Sequence, residues 1–333
     1  MENITKKMLC QMFVIGLDGD ELNENKNLVT ALSQGLGGVI FFTQNIKSAK
    51  RFKKLIAEIK ANAFIPPFLA IDQEGGRVER TENIHNGKKY LSAKFAYQKG
   101  LEFLKSQTQE IASELLSYGI NLNFAPCLDV NTNPKNPIIG ERAFSDKTKD
   151  VIEAGATVVK TYLENKIIPC VKHFPGHGDA ETDSHKGLPE INLSLEEFEK
   201  FHIEPFKKVW SPMLMVAHLH CKCFDKEVIP SSLSENVVKK YLIEKMNYQG
   251  LIITDDMIMG GVQAFGAVNA CKMAINAGVN ILLYRDCYDS TLKIIDDLSI
   301  EAEKDEILYK NIKASYDKIM KFKKENFVDV FTK

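Results

Sequence analysis

Eight short apolar runs, each ending in polar residues and followed by a longer amphipathic stretch, constrain this 333-residue chain more than any other feature. The runs cover 12–15, 38–42, 68–71, 122–125, 168–172, 214–217, 251–254 and 280–283, and helix-like stretches cover 48–61, 101–118, 148–165, 195–209, 234–246 and 266–277. Short aliphatic runs bounded by Gly or Asn favour strands, whereas apolar residues recurring every three or four positions favour helices. Asn121, Asn165, Gly250 and Gly278 stand where helix C-caps are expected. Strands joined through helices pair in parallel, because the chain must return to the same end of the sheet. Eight such units in this length predict a single (β/α)8 TIM-type barrel, with a doubly wound open sheet as the alternative.

The polar residues separate the two. Asp72, Asp129, Lys172 with His173, His218 and Asp255 sit at or just beyond the carboxyl end of a run. A barrel gathers those positions at one mouth, whereas an open sheet strings them along an edge. One catalytic domain over 1–333 is therefore expected, with 299–333 as a C-terminal helical extension packed on the barrel.

Lys and Arg number 43 against 44 Asp and Glu, a net charge of −1, which supplies no electrostatic footprint for nucleic acid or an anionic membrane. Lys318, Lys321, Lys323 and Lys324 do cluster, but Asp317 and Glu325 flank them, and a solvated helix face is expected. No run approaches the length of a membrane span, and the first sixteen residues lack the apolar core and cleavage site of a signal peptide. The seven cysteines lie mostly in apolar runs and read as reduced core thiols. A cytoplasmic monomer without cofactor or metal is the expectation.

Six of the seven histidines fall between His173 and His220. The spacing of His173 and His177 would suit a zinc pair on a helix, but Pro175, Gly176 and Gly178 argue against a helix there. On an extended segment Asp183 and His185 face the same way, so the carboxylate could orient the ring and make it a general acid/base. Spacing leaves open an ordinary loop histidine with an acidic neighbour. Few apolar anchors lie between Pro175 and Gly187, so this loop is expected to be mobile when the site is empty and to close for catalysis. In His218-Leu219-His220-Cys221-Lys222-Cys223 the histidines and cysteines face opposite ways, so four metal ligands would not converge, and His218 is better suited to line a site. The run at 251–254 ends in Asp255-Asp256, and two charges there must be paired or functional. Asp255 is expected to face the mouth, as a candidate nucleophile at an anomeric carbon, while Asp256 supports the turn.

Five segments, in order, carry a resemblance: Ile71-Asp72-Gln73-Glu74-Gly75-Gly76-Arg77-Val78-Glu79-Arg80, Phe124-Ala125-Pro126-Cys127-Leu128-Asp129-Val130, Gly140-Glu141-Arg142-Ala143-Phe144, the loop from Lys172 to His185, and Thr254-Asp255-Asp256-Met257. From about residue 10 to residue 285 the chain resembles the bacterial cytoplasmic β-N-acetylhexosaminidases of glycoside hydrolase family 3, the peptidoglycan-recycling type. The resemblance implies a retaining exo-glycosidase in which Asp255 forms a covalent glycosyl-enzyme intermediate. His185, oriented by Asp183, would replace the usual carboxylic acid/base. Asp72, Arg80, Arg142, Lys172 and His173 would hold the hydroxyl and N-acetyl groups of the terminal sugar. The implied substrate is a muropeptide, N-acetylglucosamine linked β-1,4 to 1,6-anhydro-N-acetylmuramic acid with or without peptide, or a chitobiose-like sugar. The chain departs from the family pattern at Thr254, where Ser is usual, at Glu141, where Asp is frequent, and at Cys127, where an aliphatic residue is. A β-N-acetylglucosaminide phosphorylase or a β-glucosidase on the same fold is the alternative. A silent sugar-binding protein fits less well, because binding alone does not require Asp183, His185 and Asp255 together.

Overall fold

The computed structural model describes residues 4–85, 87–180 and 187–327. Its strands are β1 (Phe13–Ile15), β2 (Gly38–Phe41), β3 (Phe68–Ile71), β4 (Leu122–Asn123), β5 (Ile168–Phe174), β6 (Glu190–Ile191), β7 (Met213–Val216), β8 (His220–Cys221), β9 (Leu251–Asp256) and β10 (Ile281–Tyr284). Eight of them close a barrel in the order β1-β10-β9-β7-β5-β4-β3-β2, while β6 and β8 form a separate two-stranded pair. Every barrel pair is parallel. The barrel strands carry apolar side chains on both faces because the inward face fills the barrel and the outward face meets helices. Phe13, Ile15, Phe41 and Phe68 are accordingly all buried. The closed (β/α)8 barrel is the architecture that the alternation predicts.

Pairing is regular at the base of the barrel and irregular at the mouth. The β2–β3 register runs unbroken from Gly38 opposite Phe68 to Phe41 opposite Ile71. Register shifts occur between Val171 and Phe174 against β7 and between Ile281 and Leu283 against β9. Such irregularities re-aim side chains, and these two flank Lys172, His173 and Asp255. Strand β4 stops early because Pro126 has no N–H to donate. The chain instead continues beside β5 through a bridge between Cys127 and Lys172, with Leu128 N–H donating to Lys172 O at 2.7 Å.

Several local expectations need correction. The stretch at 195–209 is helical but interrupted: Leu195–Phe198 is α-helical, Glu199–Ile203 forms a wider π turn, and Glu204–Lys208 resumes the α-helix at Pro205. A proline lacks the donor that a continuous ladder would need there. Gly119, at φ +87°, caps the helix Leu101–Tyr118 in place of Asn121, whose side chain instead accepts from Leu69 N–H at 2.8 Å. Gly250 is no cap either; the preceding helix ends at Lys245. Asn165 and Gly278 do cap their helices. The C-terminal stretch is two helices, Asp289–Ala302 and Glu306–Asn326, because Asp305 starts the second by accepting from Ile307 and Leu308 N–H at 3.1 Å. Lys323 is not on a solvated face: it is fully buried under the barrel. Among the described residues no helix is long and apolar enough to cross a membrane.

Candidate active site

The carboxyl ends of the strands deliver the charged groups to one mouth. Asp72 and Glu74 follow β3, Asp129 follows β4, Lys172 and His173 end β5, His218 follows β7 and Asp255 ends β9. Arg142 comes from the one-turn helix Gly140–Arg142. Lys172 Nζ lies 2.6 Å from both Asp72 Oδ1 and Glu74 Oε1. Arg142 grips the same Glu74 in a two-pronged pair, Nε to Oε2 at 2.9 Å and Nη2 to Oε1 at 2.8 Å. Arg142 Nη2 also lies 3.2 Å from His173 Nε2, and His173 Nδ1 lies 2.6 Å from Asp129 Oδ2. Since a guanidinium can only donate and a carboxylate only accepts, His173 carries its proton on Nδ1 and presents Nε2 as an acceptor. The peptide bond between Lys172 and His173 is cis.

Asp129 is the anchor of this chain of contacts. It is fully buried, and its Oδ2 accepts from His173 Nδ1–H, from His173 N–H at 3.2 Å and from the Cys127 thiol at 3.1 Å. Its Oδ1 accepts from His177 N–H at 2.6 Å. One carboxylate thereby fixes both the end of β5 and the stem of the loop that follows. Gly178 permits the close approach of that stem, since a Cβ there would lie 1.7 Å from Val130 O.

Burial alone would neutralise these groups, and opposite charge keeps them ionised. Burial raises Glu74, but Arg142 and Lys172 hold its carboxyl well below the usual carboxylate range. Burial likewise raises Asp129, and His173 brings it back far below. Lys172 is pushed down by burial and up, by more, by Asp72 and Glu74.

Asp255 is half-buried at the end of β9, with its Oδ1 accepting from Asp256 N–H at 2.8 Å. Burial raises its pKa, but His173, His218 and Lys172 lower it by more, so the carboxylate stays charged. Its neighbour behaves oppositely. Burial and the adjacent Asp255 charge push Asp256 up to about 7, although its Oδ1 accepts from Ile258 N–H at 3.3 Å and Arg285 N–H at 3.3 Å. One carboxylate stands in the charged field of the mouth, and the other ties down the turn.

His218 donates or accepts at Ser232 Oγ (2.7 Å from Nδ1) and lies 3.1 Å from Asp256 O through Nε2, so it supports the end of β9 rather than joining the Lys172–Arg142 network. Arg80 also stands apart, its guanidinium 5.6 Å over the Phe42 ring and its N–H donating to Gln73 Oε1 at 2.7 Å. Asp183 and His185 lie outside the described residues, so the proposed acid/base pair has no geometry here. Sequence reasoning missed Glu74, which binds two cations. The signal was its position two residues after Asp72 beyond a strand, which puts both carboxylates on one side. Asp129 was singled out only by position, as no motif showed it would carry four donors.

The segment from His218 to Cys223 does not gather metal ligands, because His220 and Cys221 are the strand that pairs with Glu190 and Ile191. Among the described residues one group of three metal-capable side chains does converge: Cys127, Asp129 and His173.

Comparison with known proteins agrees with this constellation. The family described as the glycosyl hydrolase family 3 N terminal domain matches residues 5–322. Beta-hexosaminidase A of Pseudoalteromonas piscicida is 34% identical over 272 residues, spanning 74% of this chain but 45% of that protein. The beta-hexosaminidase of Haemophilus influenzae strain ATCC 51907 is 31% identical over 299 residues, covering 86% of this chain and 83% of its own. The solved structure of a glycoside hydrolase family 3 beta-N-acetylglucosaminidase from Paenibacillus sp. FPU-7 superposes with a TM-score of 0.91 at 30% identity, covering 98% of this chain and 63% of that one. The chain thus spans less than two thirds of the Pseudoalteromonas and Paenibacillus proteins and most of the Haemophilus one. With the barrel, its charged mouth and the family match over nearly the whole length, the chain belongs to glycoside hydrolase family 3.

Proposed function

We propose that the chain is an exo-acting, retaining β-N-acetylhexosaminidase that removes terminal non-reducing β-linked N-acetylglucosamine. Its substrates are peptidoglycan fragments of the N-acetylglucosaminyl-1,6-anhydro-N-acetylmuramic acid type, with or without peptide. A cytoplasmic monomer acting without a cofactor belongs to the same reading. The observation that carries it is the Asp255 carboxylate, its pKa lowered by its surroundings at the mouth, beside a network of buried donors and acceptors that includes Lys172. The names of the Haemophilus and Paenibacillus relatives support the N-acetylhexosamine specificity.

In this mechanism Asp256 N–H holds Asp255 Oδ1, so Oδ2 is the oxygen offered to the anomeric carbon. The C1–O bond breaks as the new bond forms, and His185, oriented by Asp183, gives its proton to the departing oxygen. Water, deprotonated by the same histidine, then releases the sugar from Asp255. Asp72, Arg142, Lys172 and His173 bind the sugar's polar groups as a preformed set, so little reorganisation is needed on binding. Arg80 is assigned to the same sugar by the family resemblance alone, and His218 keeps the end of β9 in place.

Phosphorolysis is the one competing reaction to separate, because a histidine in place of an anionic acid/base does not repel incoming phosphate. Turnover of an aryl β-N-acetylglucosaminide in phosphate and in a non-phosphate buffer decides the matter. Free N-acetylglucosamine at equal rates in both buffers is the expected result. N-acetylglucosamine 1-phosphate as product would establish a phosphorylase, and preference for the glucoside over the N-acetylglucosaminide would overturn the substrate assignment.

A further inference from the structure

We infer that Cys127, Asp129 and His173 form a latent site for a thiophilic divalent cation such as zinc or cadmium, and that its occupancy disables the sugar site. One ligand atom from each of the three side chains lies within 4.8 Å of the others. Cys127 Sγ is 3.1 Å and His173 Nδ1 2.6 Å from the same atom, Asp129 Oδ2. Thiolate, carboxylate and imidazole are zinc's preferred donors, at roughly 2.0–2.3 Å from the ion. Those bond lengths place the donors of a tetrahedral ion roughly 3.3–3.8 Å apart, so the present hydrogen-bond spacings must open by less than about 1 Å. A cavity of about 30 Å³ lined in part by Cys127, Glu74 and Arg142 gives the thiol room to move. Three protein ligands leave the fourth position to water, the arrangement of an open zinc site.

The three groups are already joined by hydrogen bonds, so the site is complete without a metal and the ion competes with protons. Coordination removes the Cys127 S–H proton to solvent as the sulfur–metal bond forms. Asp129 Oδ2 exchanges its S–H and imidazole N–H donors for the cation. His173 must free its Nδ1 lone pair, so its proton moves to Nε2. One proton is released in all, and the cluster gains one positive charge. The second consequence is the inhibitory one. Nε2 faces Arg142 Nη2 at 3.2 Å, and with a proton on it two donors confront each other. Arg142 and His173 separate, and the network through Glu74 and Lys172 that is proposed to bind the sugar loses its geometry.

The full-length chain is titrated with cadmium chloride while the ultraviolet thiolate-to-cadmium charge-transfer band is recorded, and in parallel with zinc chloride while aryl N-acetylglucosaminide turnover is followed. Each variant's inhibition is normalised to its own uninhibited rate. Cys127→Ser keeps a donor to Asp129 but removes the thiolate, and Cys127→Val serves as a second form should the serine variant unfold. The wild type is expected to show both band and inhibition, with magnesium, a hard oxygen-seeking cation, giving neither. The variants are expected to lose one thiolate's share of the band and to bind at least roughly tenfold more weakly, the size of loss that even outer-shell changes produce. Equal band and equal inhibition in wild type and variants would overturn the site, as would a wild type indifferent to both ions. Only the inhibition arm rests on the glycosidase reading. A Cys127-dependent band in a chain that turns over no N-acetylglucosaminide would uphold the site and sink that reading instead.

Discussion

The two ends of the barrel both bury lysine, and they treat the charge in opposite ways. At the mouth, Lys172 is 2% exposed and is met by two carboxylates at 2.6 Å, so it stays protonated. At the base, Lys323 of the C-terminal helix is also buried, but its ammonium meets Gln11 Oε1 at 2.9 Å, Gly37 O at 2.7 Å and the face of Phe68 at 4.7 Å. Burial there pushes its pKa well below the ordinary lysine value. Its neighbour Lys318 donates to Gly250 O at 2.6 Å and is likewise depressed, to about 8. The lysines at the base are hydrogen-bonding plugs for carbonyls at the amino ends of the strands. The lysine at the mouth is kept as an ion among ions. The base holds the fold together and the mouth is shaped for chemistry, the usual division of labour in this architecture.

The sharpest way to break that comparison is to remove one carboxylate at the mouth. Asp255→Ala should slow turnover by several orders of magnitude with little change in the unfolding transition, whereas Asp256→Ala should retain most of the activity. Rates on an aryl N-acetylglucosaminide alongside thermal unfolding report both. Next in size is the loss of a cation. Lys172→Ala or Arg142→Ala leaves Glu74 buried with one partner fewer, which should cost about 3–5 kcal/mol in denaturant unfolding and worsen both kcat and KM. Wild-type kinetics in either variant would remove that residue from the site.

At the base the effects are smaller and confined to stability. Lys323→Met keeps the volume but leaves Gln11 Oε1 without its donor and Gly37 O with the Phe68 N–H alone, for a loss of about 1–3 kcal/mol and unchanged kcat/KM. A fall in turnover matching that of the mouth variants would dissolve the distinction between the two ends. The smallest effect is a slope. Lys318 holds its proton to about pH 8 when folded and to about pH 10.4 when unfolded. Between those values the unfolded chain binds more protons, so stability should rise with pH across that window, and Lys318→Met should flatten the rise. Urea midpoints at several pH values, compared between the two forms, measure it.

The barrel was legible because its signal is repeated. All eight strands fall within two residues of their predicted places, since long-range closure and local apolar runs agree. Short helices such as Ile4–Gln11 and Ala93–Gln98 were not legible, being too brief for a periodic signal. Lys323 was misread because its charged neighbours Lys321 and Lys324 do face water, and one buried lysine inside a charged run leaves no mark on the pattern. In the site, each residue expected at a strand end is there, but the partnerships are tertiary. Nothing in the sequence says that Glu74 bridges Lys172 and Arg142, or that Asp129 holds the His173 ring.

The account stands or falls on Asp255 as the group that attacks the sugar. A fluorinated N-acetylglucosamine analogue with a good leaving group slows release of the sugar and lets a covalent adduct accumulate. Proteolysis and mass spectrometry of the treated chain then locate the added mass. The account predicts a single modified residue, Asp255, and no adduct in Asp255→Ala. An adduct on Asp256, or rapid turnover of the analogue with no residue modified, would contradict it.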